Sequence, residues 1–281
     1  VVSAILTVAS LFSIFNYGFK TGVDFKGGRS YVVRFDKDVE ATKAHESLAK
    51  LFVLNGESQA VDVKTFGNAN QLKITTDYKI DDESIEADQD IEKKLYEGLK
   101  PFLSPNTTLA DFKDAHGAEL GIVSSSKVGP TVADDIKTGG TYAVLASLLG
   151  IFIYILFRFN KWQFSLGAVA ALAHDAIIIL GVFSFFKNIM PFNMEINQDF
   201  IAAILTVLGY SINDTVIVFD RIREYLKEKK SLTLAGLFDD SISSTLGRTF
   251  NTSFTVLLVI MAIFFFGGDN LKGFMFALFL G

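Results

Sequence analysis

Asn213 and Asp214 lie inside an apolar run, Phe200 to Phe219, that is long enough to cross a bilayer. An ionisable side chain at that depth costs about 2.5–3.5 kcal/mol on insertion scales. A chain keeps such a group when it faces a protein interior or a water path and does something there. Residues 209–224 read Gly-Tyr-Ser-Ile-Asn-Asp-Thr-Val-Ile-Val-Phe-Asp-Arg-Ile-Arg-Glu. Tyr210, Asn213, Asp214 and Ile217 recur at i, i+3, i+4 and i+7, which puts them on one helical face. The chemistry this suggests is reversible protonation of Asp214 in a site of low dielectric. The plainer alternative is an acceptor that only ties two helices together.

Arg248 opens the next apolar helix in this reading. Asn251, Thr252 and Thr255 continue its polar stripe at +3, +4 and +7. Alone, an Arg at a helix end snorkels to the headgroups. Beside a carboxylate it can instead trade partners as the carboxylate protonates. Asp214 is expected about five residues, roughly 7–8 Å, from its end of the membrane, near the level of Arg248. His174 and Asp175 fall near the middle of the third apolar run. A His–Asp pair at that depth could pass protons. Neighbouring residues point about 100° apart, so the two cannot both face one partner. Packing against adjacent helices is an equal reading. His45 and His116 lie in a polar block and read as surface residues.

Other chemistries lack a signature. There is no cysteine, no phosphate-binding Gly-x-x-x-x-Gly-Lys-Ser/Thr, and no histidine or carboxylate set at metal-ligand spacing. The chain is expected not to be an enzyme. Half of its 281 residues are hydrophobic, 28 are Phe, and the mean hydropathy is +0.36, too apolar for an ordinary soluble domain. The net charge is −5. Residues 20–138 hold 16 Lys/Arg and 21 Asp/Glu, and the remainder is balanced at 10 and 10, so the acidity sits in one early block. Such a surface argues against nucleic acid as a partner.

The elements that must position these residues are six apolar runs: Val1–Phe15, Tyr142–Phe157, Phe164–Phe186, Phe200–Phe219, Thr249–Phe266 and Leu271–Gly281. The expected fold is a polytopic α-helical membrane protein with six transmembrane helices, the first and last truncated. The first run has no Met and no basic segment before it, so it reads as part of a spanning helix in a longer protein and not as a signal peptide. Basic residues set the orientation. Arg158, Lys161, Arg221, Arg223, Lys227, Lys229, Lys230 and Arg248 lie on one side, and the opposite short links carry only Lys187. The rich side should be cytoplasmic, with loops near 158–163 and 220–248. Residues 1–17 then form the first helix, 18–140 lie outside the cytoplasm, and 141–281 supply helices two to six.

The 18–140 block alternates strand and helix patterns. Ser30–Asp36, Gln59–Thr65, Gln71–Thr76 and Glu119–Ser126 read as strands, and Val39–Leu54 and Ser84–Leu99 as helices. The order βαββαβ is that of an α+β ferredoxin-like domain. Pro101–His116 reads as irregular. The paired Gly139-Gly140 suggests a flexible joint between an amphipathic piece and the second helix.

Three segments resemble a known family. Gly22-Val-Asp-Phe-Lys-Gly-Gly28 resembles the Asp-Phe-x-Gly-Gly signature that follows the first helix in SecD and SecF, and here includes Asp24, Phe25, Gly27 and Gly28. Val128-Gly129-Pro130-Thr131-Val132 resembles the Val-Gly-Pro segment that leads into the second helix. Gly209–Glu224 resembles the fourth-helix motif of SecF and is the most specific of the three. The chain is therefore similar to the SecD/SecF protein-export family, on its SecF side or as the SecF half of a fused SecDF. That family belongs to the resistance-nodulation-division superfamily of proton-driven membrane machines.

The resemblance implies a bacterial inner-membrane protein that pairs with SecD, separate or fused, in a pseudo-symmetric arrangement. It implies work beside the SecYEG translocon and YidC on unfolded polypeptide, within membrane lipids. The proton is its coupling ion and no other cofactor is implied. It also implies a relay between a carboxylate of the fourth helix and an Arg of the fifth, which fall on Asp214 and Arg248. The expected function is use of the proton motive force to assist late translocation and release of polypeptide. The alternatives are a proton-coupled exporter of small molecules or lipids, and a non-transporting scaffold for translocon assembly.

Overall fold

The computed structural model describes residues 2–54, 56–82, 84–113, 120–190, 192, 194–228 and 233–281, with backbone only at 57, 269 and 270. The chain forms two compact units, Thr21–Gly139 and the remainder. Helix α1 spans Val2–Tyr17. There follow a single turn α2 (Val23–Lys26), strand β1 (Gly28–Arg34), α3 (Ala41–Ala49), a small β2–β3 ladder (Val53–Leu54 with Glu57–Ser58), β4 (Val61–Phe66), β5 (Asn68–Thr76), α4 (Ile85–Leu99), α5 (Leu109–Lys113) and β6 (Gly121–Val128). Then come five helices: α6 (Pro130–Phe159), α7 (Trp162–Phe186), α8 (Gln198–Glu228), α9 (Leu234–Phe266) and α10 (Asp269–Leu280).

In the first unit the sheet runs β4-β5-β1-β6, every pair antiparallel. The period of two sends Tyr31 and Val33 of β1 to the same face as Leu72 and Ile74 of β5. Helix α4 closes over that face with Ile91, Leu95 and Leu99 at spacings of four. Its start is specified locally: the Ser84 hydroxyl accepts from the Ala87 N–H at 3.2 Å, and Glu86 and Asp88 occupy the first turn.

One buried cation ties these elements together. Arg29 is only 2% exposed and donates through Nε to Asp88 of α4 at 2.7 Å. Its other nitrogens donate to the carbonyls of Tyr78, Lys79 and Asp82, in the link from β5 to α4. Lys127 of β6 reaches the same carboxylate at 3.0 Å. Burial pushes the Asp88 carboxyl up, but the hydrogen bonds from Lys127 and Arg29 outweigh it and hold the group below the usual carboxylate range.

In the second unit four helices, α6 to α9, are long and apolar enough to cross a membrane; Val2–Tyr17 and Leu271–Leu280 are apolar but shorter. Helices α1 and α7 pack closely. A Cβ on Gly181 would meet the Ser10 Cβ at 2.2 Å and its Cα at 2.5 Å. Small residues continue the seam: Ser13 donates to Ser184 at 3.1 Å, and Ser184 donates to the carbonyls of Ser13 and Gly18 at 2.9 and 2.8 Å. Backbones can pack this closely only where side chains are small.

Several expected boundaries change. Residues 220–228 and 234–248 are helical, because α8 and α9 continue past their apolar stretches; only 229–233 separate them, and 229–232 lie outside the described residues. Between α6 and α7 only Asn160 and Lys161 are not helical, so 158–163 is a tight turn. Pro101–His116 is not wholly irregular. It holds a 3-10 turn at Lys100–Phe102 and α5, whose Phe112 is buried in the core; 114–116 lie outside the described residues. Gly139-Gly140 lies within the helical span of α6, and Gly140 lets Ile201 of α8 pack where a Cβ would lie 2.2 Å from its Cδ1.

Two outcomes follow. Gly181→Leu should lower thermal stability in detergent by about 1–3 kcal/mol through overpacking against Ser10. Asp88→Asn should cost about 2 kcal/mol at neutral pH, below the 3–5 kcal/mol for a fully buried pair because Asp88 is 35% exposed. The folded Asp88 carboxyl sits below its unfolded value of about 3.9. Its contribution is therefore complete above that pH and is lost as pH falls through the folded value. Acid titration of unfolding should show a shallower acid limb in Asp88→Asn than in wild type.

Candidate functional site

Helix α8 buries Phe200, Ala203, Ile204, Val207 and Leu208 against its neighbours. That face fixes its rotation and carries Tyr210 and Asp214 into half-buried positions. Among the described residues the Tyr210 hydroxyl and the Asp214 Oδ1 have no hydrogen-bond partner. Ser253 and Arg248 of α9 are the polar and cationic groups of the neighbouring helix that act on the Asp214 carboxyl. Asn213 is exposed. The face expected to hold Tyr210, Asn213 and Asp214 together is therefore split, because adjacent helical positions diverge by about 100°.

Arg248 does not open its helix. It lies well inside α9, exposed, with helix on both sides. The stripe expected beyond it is partly self-satisfied. Thr252 donates to the Arg248 and Thr249 carbonyls at 3.1 and 2.9 Å, and Thr255 donates to the Thr252 carbonyl at 2.8 Å. Ser253, absent from the sequence reading, is the α9 hydroxyl that reaches Asp214. Its only signal is a small polar residue one position off the stripe.

His174 and Asp175 of α7 are brought together more closely than expected. The His174 Nδ1 lies 3.2 Å from Asp175 Oδ1, its Nε2 lies 2.8 Å from the Ser3 hydroxyl of α1, and Ser211 of α8 donates to Asp175 Oδ2 at 2.8 Å. The two side chains do face different helices, as their divergence requires, yet they bond to each other across it. The result is an unbroken polar chain Ser3–His174–Asp175–Ser211 across α1, α7 and α8. It ends one helical turn before Asp214 on α8.

The glycine motif has a backbone cause. Gly27 caps α2 at φ +73, its N–H donating to the Val23 carbonyl at 2.8 Å, and Gly28 enters β1 at φ +126. A Cβ at Gly28 would lie 2.8 Å from the Thr76 carbonyl oxygen, and one at Gly27 would lie 2.9 Å from Ile80 and 3.3 Å from Pro130. Asp24 and Phe25 sit half-buried in α2. Pro130 is the first residue of α6, where its missing N–H is harmless, and the Gly129 carbonyl accepts from Ala133 at 2.9 Å. His45 is exposed on α3, and His116 lies outside the described residues.

Comparison with known proteins gives a consistent picture. The family model described as protein export membrane protein SecD/SecF, C-terminal, matches residues 108–281, and the SecD/SecF GG motif matches 12–39. The protein translocase subunit SecF of Rhodothermus marinus is 40% identical over 282 residues, covering 100% of this chain and 83% of its own length. SecF of Haemophilus influenzae is 36% identical over 281 residues, covering 100% and 77%. The fused SecDF of Brucella abortus is 35% identical, covering 99% of this chain and 33% of its own length. A crystal structure of SecDF, a translocon-associated membrane protein from a Thermus species, superposes with a TM-score of 0.75 at 29% identity. It covers 99% of this chain, which spans 34% of that one.

Tyr210→Phe removes a hydroxyl that bonds to nothing described. Thermal unfolding of the purified protein should be unchanged or up to about 1 kcal/mol more favourable to the fold. Ser211→Ala leaves an Asp175 oxygen without its donor and should cost about 1–2 kcal/mol in the same assay.

Proposed function

The chain belongs to the SecD/SecF family of protein-export membrane proteins, and on that premise we propose that it is a proton-driven subunit of the Sec protein translocase. It uses the proton motive force to assist late translocation and release of polypeptide on the outer side of the bacterial inner membrane. Its partners in this reading are SecD, the SecYEG translocon, YidC and the unfolded chain in transit. The fused SecDF relatives support the pairing with SecD. The unit Thr21–Gly139 is read as the extracytoplasmic, ferredoxin-like domain. No cofactor beyond the proton enters.

The observation that carries the proposal is the setting of Asp214. It is a carboxylate within an apolar helix, with one oxygen unpartnered among the described residues and with Ser253 and Arg248 acting on it from α9. Charged Asp214 is drawn to Arg248; protonated Asp214 loses that attraction. The two states favour different arrangements of α8 against α9. One proton crossing the membrane makes available about 2.3 kcal/mol per 100 mV, enough to bias a two-state movement. His174 and Asp175, one turn away through Ser211, form a second titratable pair on the same path.

Asp214→Asn keeps shape and hydrogen-bonding capacity and removes the charge. In cells lacking the native subunit, it should abolish the gradient-dependent part of export while the protein still assembles with SecD. Normal gradient-dependent export would leave the polar residues as helix glue and favour the scaffold role.

A further inference from the structure

At the junction of α6 and α7 the structure gathers positive charge over one aromatic ring. Arg158 and Arg223 both pair with Asp220, each at 2.9 Å. One carboxylate serves two guanidinium groups, so the trio keeps a net positive charge. Arg223 also donates through Nη1 to the Arg158 carbonyl at 3.2 Å. Both guanidinium groups lie over the Phe159 ring, 5.6 and 5.2 Å from its centroid. That ring is itself fixed by stacking on Phe164 at 5.1 Å and by an edge contact with Phe219 at 5.8 Å.

The two cations are thus held in place by ion pair and ring. Each guanidinium has five N–H donors. The hydrogen bonds described use one on Arg158 and one on Arg223, while the Arg223–Asp220 contact at 2.9 Å is an ion pair. The two side chains are 40% and 35% exposed, so both cations are partly open at the surface. Lys161, exposed in the same turn, adds a third positive charge. Phe157 and Trp162 flank the turn at 76% and 59% exposure. Aromatic side chains at the end of a spanning helix belong at the level of the lipid headgroups.

We propose that this junction binds the phosphate of an anionic membrane phospholipid. Arg158, Arg223 and Lys161 hold the headgroup, and Phe157 and Trp162 lie against the acyl chains. Basic pockets between spanning helices take acidic headgroups in this way. A zwitterionic headgroup brings its own cation beside the phosphate and is disfavoured next to a site with excess positive charge. Asp220 is the counter-charge that keeps the arginines placed when no lipid is bound.

Native mass spectrometry of the purified chain tests this, after equilibration with dioleoylphosphatidylglycerol or dioleoylphosphatidylcholine. Phosphatidylglycerol adducts should persist where phosphatidylcholine adducts do not. Lys161→Gln touches no contact described and should weaken phosphatidylglycerol binding about fivefold; adding Arg223→Gln should weaken it about fivefold again, with helical circular dichroism unchanged. Arg223→Lys should keep most of the binding. Equal retention of the two lipids, or unaltered phosphatidylglycerol binding in Lys161→Gln, overturns the site. Displacement of the lipid by inorganic phosphate at matched ionic strength also overturns it, by assigning the cluster to a soluble anion. If Arg223→Gln unfolds the protein, Lys161→Gln alone decides.

Discussion

In a membrane bundle every polar side chain on a spanning helix needs a partner inside the protein, since hydrocarbon offers none. The arrangement of α1, α7, α8 and α9 answers that constraint. Ser184 finds Ser13 and Gly18 across the α1–α7 seam, His174 finds Ser3, and Asp175 finds Ser211. These bonds require backbones close enough for short side chains to meet, which is why Gly181 faces Ser10. Asp214 and Tyr210 depart from the pattern. Ser253 and Arg248 act on Asp214 from α9, and among the described residues one of its oxygens has no hydrogen-bond partner.

The unit Thr21–Gly139 solves a different problem by similar means. Its core is an ordinary layer of sheet and helix around Phe35, Phe52, Leu72 and Ile74. A buried Arg29 is the unusual element, and burying a cation is tolerable only with several partners. Asp88 and three carbonyls supply them, and in doing so they fasten β1, α4 and the link from β5. The two glycines before β1 belong to the same local design. Both adopt positive φ, and a side chain at either would strike the chain end of β5 or the start of α6 and its neighbours.

The helices at the membrane–water boundary continue well beyond their apolar stretches. Past Phe219, α8 carries charges of both signs, and α9 begins with a polar segment before Arg248. A run of hydrophobic residues marks the part of a helix that lipid requires. It does not mark where hydrogen bonding stops, and charged residues such as Glu224 and Lys227 have good helix propensity. That is why Arg248 sits inside a helix and not at its start, and why Arg158, Asp220 and Arg223 come together as a rigid group instead of lying in loops.

Asp214, His174 and Asp175 drew attention in the sequence because a titratable group inside an apolar run is costly wherever the helix packs. Four of the apolar helices and the paired glycines at 27 and 28 were legible for a like reason: hydrophobic period and backbone freedom are local properties. Which hydroxyl meets which carboxylate was not. Ser253, Ser211 and Ser3 look like any other serines until helices from distant parts of the chain are laid side by side. The sharing of Asp220 by two arginines, and the divergence of Asn213 from Asp214, also depend on how each helix is rotated about its axis. Sequence alone determined where charge had to be handled in an apolar setting; only tertiary packing decided which partners handle it, because rotation and depth are set by contacts between helices and not along them.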